Sequence, residues 1–127
     1  MTQPQRVIII SDRAFSAGIF ATLEHRGFEV TIAQSLKSAY LELLGSSFDL
    51  VFVDLAEGSA GVDFIRQVRA MPELKKTVIV AIGKWGSGQA VLALSEGADA
   101  YEPGPFDPLS LFAAVERMLL NEKAVAQ

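Results

Sequence analysis

Cysteine is absent from the 127 residues, which excludes disulfides, thiol nucleophiles and thiolate metal sites. Histidine is nearly absent: His25 alone excludes multi-histidine metal centres and leaves any Ser-His-Asp triad dependent on one residue. It lies in Glu24-His25-Arg26-Gly27, which reads as a helix end, where a solvated histidine is favoured by the helix dipole. No apolar run approaches the about 20 residues of a membrane span, and the segment Met1-Thr2-Gln3-Pro4-Gln5-Arg6 lacks the layout of a signal peptide. A cytoplasmic protein without membrane insertion is therefore expected. Basic residues are few and scattered, 11 Lys and Arg against 15 Asp and Glu for a net charge of −4. With no basic stripe to follow a phosphate backbone, nucleic acid is not expected as a direct partner.

What the chain does have is apolar content, half of its residues, with a fifth charged. That suffices for one globular domain over 1–127 that buries roughly two-thirds of the surface of its unfolded form. Its core is expected over about 6–120, and the tail 121–127, poor in apolar residues, is expected to fray. Short Val- and Ile-rich runs alternate with segments of helical spacing. Strands are expected at 6–12, 28–32, 48–54, 77–82 and 99–102, and the first, third and fourth lack polar alternation, as strands covered on both faces do. Between and after them, Phe15, Ile19 and Leu23, then Leu36, Tyr40 and Leu43 or Leu44, then Phe64, Ile65 and Val68, then Val91 and Leu94, then Phe112, Val115 and Leu119 mark five helices. Gly27, Gly45 and Gly97 fall where helices hand over to strands, and Asp107-Pro108 opens the last helix.

Five such units imply an α/β fold, a three-layer doubly wound sandwich around a five-stranded parallel sheet with right-handed crossovers. Periodicity does not set the strand order; in the flavodoxin-like order 2-1-3-4-5 the first and third strands are neighbours, with the ligand crevice at their carboxyl ends. Both strands end in acids, Val7-Ile8-Ile9-Ile10-Ser11-Asp12 and Leu50-Val51-Phe52-Val53-Asp54. An Asp there also serves simply to cap the helix that follows. If the two converge, their like charges call for a cation or a proton, and Mg²⁺, with its preference for oxygen ligands, meets that need.

These residues, with Gly97-Ala98-Asp99-Ala100-Tyr101-Glu102-Pro103-Gly104-Pro105-Phe106 at matching spacing, resemble the receiver domain of bacterial two-component response regulators over about 6–120. The resemblance implies phosphorelay signalling rather than enzyme activity. It implies that Asp54 accepts a phosphoryl group from a sensor histidine kinase. It further implies Mg²⁺ held by Asp12, Asp54 and the backbone carbonyl of Ala56, and Tyr101 as the aromatic switch residue. It implies signalling through protein contact, including a homodimer through the face of the fourth helix, fifth strand and fifth helix.

The pattern is broken at several positions. Ser11 replaces one of the acidic pair, Ile82 stands where the family has Ser or Thr after the fourth strand, and Gly104 stands where it has Lys. The segment after Asp54 lacks Met-Pro and is one residue short. The Ile82 side chain offers no hydrogen bond and is expected to fill the space a hydroxyl would leave for Tyr101. Lys84 and Arg13 are candidate compensating cations, although simple solvation or pairing with Glu57 or Asp12 is the more ordinary account of each. Gly83-Lys84-Trp85-Gly86-Ser87-Gly88 fits neither the P-loop nor the dinucleotide fingerprint. It reads as a loop before the fourth helix with Ser87 as a cap, and Trp85 is either an interface anchor or folded back on its own helix. A degenerate receiver acting as a phosphorylation-independent interaction module is the alternative; a flavodoxin-like enzyme or flavin carrier lacks a phosphate loop, a nucleophile-base pair and a flavin clamp.

Overall fold

The computed structural model describes residues 5–11, 15–55, 60–84, 88–104, 113, 116 and 117, with backbone alone at 15–19, 84 and 104. Five strands, β1 (Arg6–Ile10), β2 (Glu29–Ala33), β3 (Leu50–Asp54), β4 (Val78–Lys84) and β5 (Ala100–Gly104), alternate with four helices, α1 (Phe15–His25), α2 (Leu36–Gly45), α3 (Ala60–Arg69) and α4 (Gln89–Glu96). A 3-10 turn, Pro72–Leu74, precedes β4. The fifth expected helix, with Phe112, Val115 and Leu119, lies outside the described residues apart from isolated helical positions at 113, 116 and 117.

All four strand pairings are parallel and the order is β2-β1-β3-β4-β5. The three runs without polar alternation are thus the three interior strands, since a strand with neighbours on both sides and helices on both faces has no wet side. Side-chain alternation splits the core in two. Ile8, Ile10, Val51, Val53, Ile79 and Ala81 pack with α2, α3 and α4, whereas Val7, Ile9, Leu50, Phe52, Val78, Val80 and Ile82 pack with Leu23 of α1. Strand boundaries move by one or two residues from their expected places. At the β4–β5 end both strands run two residues further and pair Gly83 with Pro103 and Lys84 with Gly104. Pro103 is tolerated because β5 is an edge strand.

Helix termini follow local chemistry. Ser35 caps α2, its side chain accepting from the Ser38 N–H at 3.1 Å. Asp63 in the first turn of α3 and Arg66 and Arg69 in its last complement the helix dipole. Gly27 and Gly97 take positive φ after α1 and α4, but Gly45 does not; it is the last residue of α2, and Ser46 is the C-cap. In α3, Phe64, Ile65 and Val68 are buried as their spacing requires. α4 departs from expectation: Val91, Leu92 and Leu94 are 73, 54 and 47% exposed, and the small Ala93 is the residue that faces the core.

Candidate functional site

The carboxyl edge of the sheet is built where the strand order reverses. β1 and β3 are aligned with Ile10 opposite Val53, so the next residues, Ser11 and Asp54, meet above the ladder. The Ser11 hydroxyl donates to Asp54 Oδ2 at 2.8 Å. Ser11 is only 5% exposed, with its N–H bonded to the Ala33 carbonyl at 3.1 Å, and Asp54 is half-buried. The expected convergence of the first and third strands on one site is therefore present, with Ser11 as the described partner of Asp54. Asp12, Arg13 and Ala56 lie outside the described residues. Among the described residues no three His, Cys, Asp or Glu side chains gather as metal ligands. The described donors are a carboxylate and a hydroxyl, oxygen atoms of the kind a hard cation takes.

On the other side of Asp54 stands Ile82, its partner in the β3–β4 ladder. Ile82 was expected at the end of its strand, but it lies inside β4, 1% exposed, and packs with the α1-side core. Tyr101 is half-buried and packs with the opposite core, beneath α4. Ile82 therefore does not fill the space beside Tyr101, as had been expected. That space belongs to Gly83, where a Cβ would overlap the Tyr101 hydroxyl and lie 2.9 Å from Gln89 Oε1. Strand alternation gives the physical reason: adjacent residues of β4 point to opposite faces.

Gly104 ends β5 opposite Lys84, and neither Trp85 nor Ser87 is among the described residues. The residue at the α4 N-cap is Gly88, with φ 78° and no side-chain cap bond. His25 is exposed at the end of α1, as expected. Gln89, at the first position of α4, is a site residue that sequence reasoning missed. Its Nε2 donates to the Leu55 carbonyl at 2.8 Å, while the Leu55 N–H donates to the Ile82 carbonyl at 2.7 Å. No periodicity or motif marks a glutamine at a helix start.

No family profile matches the chain. It is 30% identical over 122 residues to the phosphate regulon transcriptional regulatory protein PhoB of Rhizobium meliloti, covering 94% of this chain and 54% of that protein. It is also 30% identical over 129 residues to the DNA-binding response regulator MtrA of Mycolicibacterium smegmatis, covering 99% of this chain and 56% of the relative. A solved CheY-like receiver domain from Methanospirillum hungatei superposes with a TM-score of 0.86 at 22% identity, covering 95% of this chain and 98% of that one. The chain is similar to response regulators and has the receiver-domain fold. Its sheet order, shared with that fold, explains why the receiver's first and third strands deliver Ser11 and Asp54 to one point. The receiver spans about half the length of the curated relatives it matches. Because one of those relatives is named as DNA-binding, the comparisons lend no support to the exclusion of nucleic acid. No helix among the described residues of the receiver is long and apolar enough to cross a membrane.

Proposed function

We propose that this receiver works in phosphorelay signal transduction in the cytoplasm, with Asp54 as phosphoacceptor and a sensor histidine kinase, or another signalling protein, as partner. The observation that carries the reading is the position of Asp54, a half-buried carboxylate at the carboxyl end of the central strand and at the point where strand order reverses. An Asp54 oxygen attacks phosphorus, the bond from phosphorus to the donor's nitrogen or oxygen breaks, and an acyl phosphate remains. Such a transfer depends on positioning and charge neutralisation more than on proton transfer. Asp54, Asp12 and the Ala56 carbonyl would hold Mg²⁺, which offsets negative charge when bound. Ser11 holds the carboxylate in place through its 2.8 Å bond. Ile82 and Gly104 supply neither a donor nor a cation from their side chains, and Lys84 and Arg13 are the candidate replacements.

Exposed Val91, Leu92 and Leu94 make α4 suited to protein contact, including a homodimer through α4, β5 and the fifth helix. A phosphorylation-independent interaction module is the second reading. It is favoured by buried Ile82 standing directly beside Asp54 where the family has a hydroxyl. The two readings separate on incubation with Mg²⁺ and acetyl phosphate, followed by intact mass. A phosphoryl adduct is expected on the wild type and absent from Asp54→Ala, and an unmodified wild type under donor excess selects the interaction module.

A further inference from the structure

The Leu55 peptide, next to Asp54, is held on both sides. Its N–H is bonded to the Ile82 carbonyl at 2.7 Å and its carbonyl accepts from Gln89 Nε2 at 2.8 Å. Gln89 is the first residue of α4, and the Gly88 that precedes it has φ 78° and no side-chain cap. The carboxamide of Gln89 and the hydroxyl of Tyr101 flank one point over Gly83, a notch that any Cβ would fill. Ile82 packs on the other face of the sheet from Tyr101, so its side chain is not placed to pass a displacement at Asp54 to the Tyr101 ring.

We infer that Gln89 is a positioning residue that couples the Asp54 strand end to α4 and Tyr101, through the Leu55 carbonyl on one side and the Gly83 notch on the other. A displacement of the Leu55 peptide must carry the Gln89 carboxamide with it or break a part-buried hydrogen bond, and the carboxamide is attached to the first turn of α4. The route ends on the helix that exposes Val91, Leu92 and Leu94, so it joins the candidate phosphoacceptor to the surface best suited to a partner. A group that bonds across two elements in this way biases both only if each has two arrangements, and the coupling is reciprocal.

The signalling significance rests on the phosphoacceptor reading, but the coupling is measurable without phosphorylation. Tyr101→Phe removes the hydroxyl at the notch, and the response is read as backbone shifts and amide exchange at Asp54 and Leu55 by nuclear magnetic resonance. In the Gln89 background, exchange at Leu55 is expected to change by about fivefold, the lower end of ordinary site-to-site coupling. In the Gln89→Met background, which keeps the side-chain length but loses the donor, the response to Tyr101→Phe should vanish. An equal response in both backgrounds, or none in either, overturns the inference. Gly83→Ala, which displaces both groups from the notch, gives a second perturbation with the same expected dependence on Gln89. Intact mass after acetyl phosphate and Mg²⁺ treatment is scored separately: an unmodified Asp54 refutes the phosphoacceptor reading and leaves the coupling result standing.

Discussion

Asp54 is set between two side chains of opposite character, the Ser11 hydroxyl that bonds it at 2.8 Å and the apolar Ile82 beside it in the ladder. Ser11→Asp replaces the donor with a second acid in a 5%-exposed position. Without a cation the like charges lower thermal stability. With Mg²⁺ the extra oxygen ligand should tighten binding about tenfold, or about 1.4 kcal/mol, read by titration calorimetry. Ile82→Thr introduces a hydroxyl next to Asp54 while exchanging buried apolar volume for a polar group. It should cost about 1–2 kcal/mol in a urea titration and raise the phosphorylated fraction at fixed acetyl phosphate, scored by intact mass. The sequence marked Asp54 because the acid that ends a buried run is recognisable by position, and Ser11 and Ile82 only through the resemblance to the receiver family. It did not mark Gln89, whose bond to Leu55 joins residues 34 apart in sequence and exists only once α4 packs over the sheet.

Arg69 shows the same blindness for an entire element. It ends α3, and its guanidinium donates to the carbonyls of Gly97 at 2.9 Å, Leu74 and Lys75 at 3.1 Å and Thr77 at 2.9 Å, and to Asp99 Oδ2 at 2.8 Å. Asp99 Oδ2 in turn accepts the Ile79 N–H at 2.8 Å. One side chain thus ties α3 to the turn before β4, to the end of α4 and to the start of β5. Gly97, at φ 125°, lies so close that a Cβ would approach Arg69 Cγ to 2.8 Å. Arg69→Ala should lower stability by about 2–3 kcal/mol, several hydrogen bonds discounted for partial exposure. The expected signature is a lower urea midpoint with an unchanged slope. Periodicity identified the helices here but could not say which arginine would clamp them. It also misassigned the α4 stripe, because Val91 and Leu94 satisfy helical spacing equally well facing a core or a partner.

For the whole molecule the consequence of that stripe is association. Val91→Ser, Leu92→Ser and Leu94→Ser should each leave thermal stability within about 0.5 kcal/mol, since the side chains are already exposed. Together they should weaken the proposed self-association through α4, and sedimentation velocity over a concentration series measures it. The sequence by itself determined the fold class, which of the runs are covered on both faces, and that Asp54 ends one of them. Those features follow from local patterning, because burial on both faces of a strand shows in consecutive residues. Only the tertiary structure decided that Ser11 is the described partner of Asp54, that Gly83 rather than Ile82 lies against Tyr101, and that Gln89 holds Leu55. Each of these depends on which face of the sheet a side chain takes and which helix covers it, and such distances are set by packing between elements remote in the chain.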